Sequence, residues 1–152
     1  SGSMGERNKM TFARAAATFA VRELAPTDRL SVIAFDDRVE IPFPNSTVTD
    51  KDAVARLIAE IGPRGSTALH GGWQEGVRQA AANPAPGGVN RVVLLSDGLA
   101  NVGESRPDVI ATDVHKAAGT GVGTTTIGVG DEYNEDLLAA MARSGDGSYY
   151  YV

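Results

Sequence analysis

Cysteine is absent from the 152 residues. That excludes a disulfide scaffold, a cysteine nucleophile and any thiolate metal site. Histidine occurs only twice, as His70 and His115, and neither has a Cys, His or Glu companion at zinc-binding spacing. Two isolated histidines also leave little from which to build a hydrolytic triad. No apolar run approaches the roughly 18 residues a membrane-crossing helix requires. The phosphate-cradling pattern G-x-x-x-x-G-K-[ST] and the G-x-S-x-G elbow are both missing. Gly119-Thr120-Gly121-Val122-Gly123 imitates a dinucleotide fingerprint, but it precedes a β-branched run, whereas the fingerprint must follow a strand and open a helix. Positive charge is not in excess: 14 Lys and Arg stand against 19 Asp and Glu, for a net charge of −5. The halves carry 9 basic and 10 acidic residues (1–76) and 5 basic and 9 acidic residues (77–152). No basic patch is visible, so neither nucleic acid nor an anionic membrane is an expected partner, and no segment is expected to insert into a bilayer.

What the chain does contain suits one globular domain. Its hydrophobic fraction of 42% and charged fraction of 22% are ordinary, and at this length folding hides roughly 70% of the surface of the unfolded chain. The opening Ser1-Gly2-Ser3-Met4 carries neither a charged n-region nor an apolar h-region. Tyr149-Tyr150-Tyr151-Val152 closes the chain inside an apolar element. Both ends are expected to be cuts within a longer protein.

The spacing of Met10, Ala13, Ala17, Ala20, Val21 and Leu24 predicts a helix over 6–24, ended by Pro26 and Asp28. Leu30 to Phe35 is a short, nearly continuous apolar run of the kind found in strands covered on both faces. Asp36-Asp37-Arg38 reads as a turn, and Val39 to Phe43, interrupted by Pro42, as an edge strand of a hairpin. Thr49 and Asp52 resemble a capping box before a helix with Val54, Leu57, Ile58 and Ile61 on one stripe. Ser66-Thr67 precedes a further helix with Leu69, Trp73, Val77 and Ala80 inward. Arg91 to Ser96 is a buried strand, Ser105 with Pro107 and Asp108 starts a helix to about Gly119, and Val122 to Val129 is a β-branched strand. Asn134 caps a helix carrying Leu137, Leu138 and Met141, and Ser148 to Val152 is a last strand. Alternation of this kind argues for an α/β fold, a mostly parallel sheet with helices on both faces.

In open sheets of this type ligands lie outside the carboxyl ends of the strands. Ser1, Ser3, Thr67 and Asp97 are the candidate site there. Three hydroxyls and a carboxylate are hard oxygen donors, suited to Mg²⁺, Mn²⁺ or Ca²⁺. Hydroxyls are weak neutral ligands, so the ion would keep much of its charge for an incoming carboxylate. The same residues also serve as ordinary helix caps and turns, which from the residues alone is their commoner use. Asp36 and Asp37 could act on an ion from outside its direct ligands, although a hairpin turn also uses Asp. Asp131, Glu132, Glu135 and Asp136 could add negative potential to the same face, but they also suit the N-terminus of a helix, which is the preferred reading. Trp73 and the Tyr149 to Tyr151 run read as core or half-buried strand, and His70 and His115 as solvated helix residues. A Mg²⁺-dependent hydrolase on a similar sheet would call for a carboxylate cluster and a basic phosphate clamp, and neither is visible.

Ser1-Gly2-Ser3-Met4-Gly5 resembles the tail of the D-x-S-G-S-M motif of von Willebrand factor type A domains. Gly65-Ser66-Thr67 and Leu95-Ser96-Asp97-Gly98 match the later threonine and aspartate motifs of that family, in family order. The resemblance extends over the whole chain, through Pro26 to Leu30, Gly87 to Arg91 and Gly128-Val129-Gly130. These stretches are similar to bacterial members related to inter-α-trypsin-inhibitor and calcium-activated chloride-channel type proteins. The resemblance implies a three-layer, Rossmann-like open sheet with one antiparallel edge strand. It also implies a non-enzymatic module binding partner proteins through a bridging divalent cation, Mg²⁺ or else Mn²⁺ or Ca²⁺, held by Ser1, Ser3, Thr67 and Asp97. The partner would present an Asp or Glu carboxylate. A structural domain with a vestigial site is the plainer alternative. The leading Asp of the family motif would stand two residues before Ser1, at the end of a central strand. The chain is therefore expected to be a single domain, residues 1–152, whose first strand lies upstream and whose final helix lies downstream. Residues 29–35 and 91–96 would then be the two neighbours of that upstream strand.

Overall fold

Ten elements alternate along the chain in the computed structural model, which describes residues 4, 8–84, 86–97, 99–130 and 134–152. They are α1 (Lys9–Glu23), β1 (Arg29–Phe35), β2 (Val39–Thr47), α2 (Lys51–Glu60), α3 (Leu69–Ala82), β3 (Asn90–Ser96), α4 (Pro107–Gly119), β4 (Val122–Gly128), α5 (Glu135–Ser144) and β5 (Tyr149–Tyr151). The type and order of every element agree with the periodicity of the sequence.

β3, β4 and β5 form a parallel ladder in that order, with Leu94 opposite Thr126 and Thr126 opposite Tyr149. β1 and β2 form a separate antiparallel pair. β2 runs to Thr47, farther than the expected Phe43, because a strand at a sheet edge tolerates Pro42 and Pro44, which cannot donate to a ladder. The pairing register slips between Leu30 and Val32 and again between Val32 and Ala34. Among the described residues no ladder joins β1 to β3. Both nevertheless lie beneath α3. Gly72 on that helix allows contact with β1, where an added Cβ would fall 2.5 Å from the Phe35 ring. Gly76 does the same over Val92 of β3, at 3.2 Å.

Side-chain alternation along the strands shows the layers. Leu94 packs with Leu69 and Trp73 of α3, Ile110, Val114 and Ala117 of α4, and Leu137, Leu138 and Met141 of α5. Thr124 and Thr126 face the same way: the Trp73 indole N–H donates to Thr124 Oγ1 at 3.0 Å, and Thr126 Oγ1 donates to the Leu138 carbonyl at 2.8 Å. Leu95, one residue on from Leu94, points to the opposite face and packs with Met10 and Ala13 of α1, and with Val129. Farther along that face Val21 of α1 and Val54 and Ile58 of α2 meet Leu30, Val32 and Phe43. Helices therefore cover both faces, α3, α4 and α5 on one and α1 and α2 on the other. Polar bonds tie α1 to α2: Lys51 Nζ donates to the carbonyls of Arg22 and Leu24 at 2.7 and 2.6 Å, and Arg14 Nε to that of Ile61 at 2.8 Å.

Several local expectations shift. Asp50, not Thr49, caps α2, accepting from the Ala53 N–H at 2.9 Å. Ser105 does not cap α4. That helix begins at Pro107, and Glu104 takes the N–H groups of Ser105 and Arg106. Asn134 caps α5 as expected, accepting from Leu137 N–H at 3.1 Å. His70 is not solvated. It is buried, stacked on Trp73 with ring centroids 5.8 Å apart, and its Nε2 lies 3.1 Å from Asp113 Oδ2. One helical turn separates His70 from Trp73, so the turn that buries the indole also covers the imidazole. His115 is exposed, as expected. Tyr149 packs on the core, whereas Tyr150 and Tyr151 are more than half exposed.

Candidate metal centre

Four loops meet at the carboxyl ends of the strands, joined by backbone hydrogen bonds. The Ala68 N–H donates to the Asp36 carbonyl at 2.7 Å, coupling the end of β1 to the start of α3. The N–H groups of Asn101 and Val102 donate to the Thr67 carbonyl at 3.1 Å, coupling α3 to the loop after β3. The Asn134 N–H donates to the Asp97 carbonyl at 2.7 Å, coupling that loop to the start of α5. Thr67 and Asp97 are thereby held in one connected frame.

Thr67 is 2% exposed and Asp97 is fully buried. The Asn101 side-chain oxygen accepts from the Thr67 N–H at 2.6 Å. α3 has no side-chain cap, and its N-cap residue is Ala68. The Thr67 hydroxyl is therefore not serving as a helix cap, which was its commoner use. Asp97 does partly close a turn, since its Oδ1 accepts from the Leu99 N–H at 3.3 Å. Its other oxygen, Oδ2, lies 3.5 Å from Lys9 Nζ, with both side chains almost wholly buried. Removing one member of such a pair costs about 3–5 kcal/mol, because the other charge is left uncompensated.

Ser1 and Ser3, the other two candidate ligands, lie outside the described residues, as do Asp131 and Glu132. Glu135 and Asp136 occupy the first turn of α5 and are exposed, in keeping with favourable charge at a helix N-terminus. Asp37 is exposed, whereas Asp36 is buried. Asp36 Oδ1 accepts from the Arg38 N–H at 2.8 Å and Oδ2 pairs with Arg64 Nε at 2.8 Å. The Arg38 N–H above all, and then Asp37 and the Arg64 guanidinium, hold the Asp36 carboxyl below the usual carboxylate range, against the opposing effect of burial. The hairpin-turn reading of Asp36 is the observed one.

The donor chemistry fits a hard divalent ion. Asp97 and Thr67 offer oxygen donors, the kind such ions prefer, although among the described residues no three His, Cys, Asp or Glu side chains gather into a metal-binding group. Beside them an open depression of about 370 Å³ is lined by Leu99, Ala100, Asn101, Ser105, Asn134 and Leu137. Lys9, Asn101 and Arg64 were not singled out by sequence reasoning. The one hint for Lys9 is that a cation in the first turn opposes the helix dipole. Nothing in the sequence marks Asn101 or Arg64.

The family model described as von Willebrand factor type A domain matches residues 1–152. The chain is a von Willebrand factor type A domain. It is 30% identical over 153 residues to the uncharacterized protein YfbK of Escherichia coli (strain K12), covering all of this chain and 27% of that protein. It is 33% identical over 156 residues to the uncharacterized protein sll0103 of Synechocystis, covering all of this chain and 35% of that protein. Inter-alpha-trypsin inhibitor heavy chain H3 of Mesocricetus auratus is 27% identical over 155 residues, covering 97% of this chain and 17% of that one. The type A domain thus spans about a third or less of these relatives. Among solved structures, a von Willebrand factor type A protein from Catenulispora acidiphila superposes with a TM-score of 0.81 at 19% identity, over the whole of this chain and 36% of that one. Proximal thread matrix protein 1 from the mussel byssus, whose MIDAS motif is occupied by zinc, gives 0.78 at 18% identity over the whole of this chain and 41% of that one. The mostly parallel sheet covered by helices is the family fold. Type A domains generally serve protein–protein interaction and are mostly non-enzymatic.

Proposed function

We propose that this type A domain binds a partner protein through a divalent cation, Mg²⁺ or else Mn²⁺ or Ca²⁺, with Ser1, Ser3, Thr67 and Asp97 among its ligands. The observation that carries the reading is the buried pair of Thr67 and Asp97 at the carboxyl ends of the strands, with the Thr67 hydroxyl not used as a cap. Zinc in the MIDAS motif of the mussel thread protein supports it by analogy. When bound, the ion would supply a Lewis-acidic position for a carboxylate. Asp97 would provide negative charge and Thr67 a neutral oxygen, so much of the ion's charge would remain for an Asp or Glu side chain of the partner. The depression beside Asp97 would receive the residues flanking that side chain. The reading includes a strand of the intact protein, upstream of Ser1, between β1 and β3, ending in the leading Asp of the family motif.

Calorimetric titration of MnCl₂ into the domain carrying its upstream strand should show one binding event. Asp97→Ala should abolish it, and Thr67→Ala should weaken it at least tenfold. Unchanged affinity in Asp97→Ala would overturn the assignment. A folded domain that takes up neither Mn²⁺ nor Mg²⁺ would leave the vestigial structural role.

A further inference from the structure

We infer that Lys9 is the resident cation of the Asp97 site, so that a divalent ion must compete with a side chain of the domain itself. The inference rests on the metal reading above and concerns what sets the affinity of that site.

Lys9 stands at the first position of α1, where the helix dipole disfavours positive charge. Its neighbour Asn8 adopts a left-handed backbone at φ 63° and offers α1 no side-chain cap. Lys9 is nevertheless 2% exposed, and its Nζ lies 3.5 Å from Asp97 Oδ2. The route of its stem is shaped by another element. At Gly130, just after β4, an added Cβ would lie 2.7 Å from Lys9 Cγ and 2.8 Å from Cε. Gly130 has φ +82°, a conformation that favours glycine, and its N–H donates to the Val152 carbonyl at 2.9 Å. The ammonium is thus delivered to Asp97 along a channel that glycine leaves open. The nearby Asp36 is committed to Arg38 and Arg64.

A buried carboxylate without a cation is costly, and Lys9 meets that need when no metal is bound. The same contact opposes a metal. Two cations on one carboxylate repel strongly at this range in a site screened from water. A bound ion must therefore either displace the ammonium from Oδ2 or share the oxygen with it at reduced affinity. Removing the charge of Lys9 while keeping its apolar stem should strengthen metal binding and weaken the metal-free fold.

The test is calorimetric titration of MnCl₂ into the domain carrying its upstream strand, as wild type, Lys9→Met and Lys9→Arg, with thermal melts followed by circular dichroism with and without MnCl₂. Lys9→Met should bind Mn²⁺ at least tenfold more tightly than wild type, and Lys9→Arg should stay near wild type. Without metal, Lys9→Met should melt below wild type, and it should gain more on adding Mn²⁺, because a ligand at free concentration c that binds only the folded state stabilises it by RT ln(1 + c/Kd), which grows as Kd falls. Should Lys9→Met unfold without metal, refolding on addition of MnCl₂ supports the same competition, and failure to refold overturns it. Equal Mn²⁺ affinity in all three folded chains, or loss of binding in a folded Lys9→Met, would overturn the inference while leaving the proposed function standing. Absence of Mn²⁺ binding in all three folded domains would overturn both.

Discussion

At the scale of single residues, charge compensation at the carboxyl ends of the strands does two different jobs. Asp97 is compensated by a buried ammonium, Asp36 by an N–H group and a half-exposed guanidinium. The second arrangement predicts an acid limb of stability. The Asp36 carboxyl is held below its ordinary value of 3.8, foremost by the Arg38 N–H. Its contribution is therefore fully present above about pH 4 and is lost as pH falls through the lower folded-state value. Urea midpoints measured between about pH 5 and about pH 2 should fall more steeply for wild type than for Asp36→Asn. Parallel slopes for the two proteins would show that Asp36 carries none of the acid sensitivity. Thr67 and Asp97 stood out in the sequence through the resemblance of their motifs to the type A family, since from the residues alone hydroxyls and carboxylates are more often caps and turns. Lys9 did not, because a lysine at a helix start looks the same whether it is solvated or buried against a carboxylate. His70 was misread for a related reason: one helical turn from Trp73 it shares a covered face, and sequence spacing does not say how wide that face is.

At the scale of elements, the sequence periods located all ten helices and strands, and ends such as Phe35, Ser96 and Gly119 fell where expected, while others shifted by a residue or more. The start of α2 illustrates why. Thr49 and Asp52 have the composition of a capping box, but Asp50 has the extended backbone of an N-cap, φ −132° and ψ 96°, and places its carboxylate on the Ala53 N–H. Thr49, Asp50 and Asp52 can all accept such a bond, and only the backbone turn selects one. Asp52 instead pairs with Arg22 of α1 at 3.1 Å on an exposed surface. Asp50→Ala should therefore cost about 1 kcal/mol of unfolding free energy, with Thr49→Ala within about 0.5 kcal/mol of wild type. Denaturant unfolding of the two variants decides the point, and a larger loss for Thr49→Ala would return the cap to the position expected from composition. β2 illustrates the opposite error. It was expected to end at Phe43, yet as an edge strand it continues through Pro44 to Thr47, because no ladder hydrogen bond is needed on its outer side.

At the scale of the whole molecule, the separation into two sheets is the feature that the order of elements alone does not explain. β1 pairs with β2 and β3 with β4, and α3 lies across both β1 and β3 without a ladder between them. An apolar strand beneath a helix normally has its backbone groups paired on both sides, since an orphaned buried group costs about 1–3 kcal/mol. Several such groups approach the whole stability of a domain, about 5–15 kcal/mol. Neighbouring strands lie about 4.8 Å apart, so one inserted strand would set β1 and β3 roughly 9–10 Å apart. If the proposed strand precedes Ser1, a chain that includes it should be more stable by several kcal/mol and should have a steeper denaturant dependence, because more surface is buried. Amide exchange gives the decisive reading. The N–H groups of β1 and β3 should gain protection together, while those of β5, at the far edge of the parallel sheet, should change little. If β1 and β3 keep the exchange rates of the shorter chain, the added segment docks elsewhere, and the two sheets are the finished architecture.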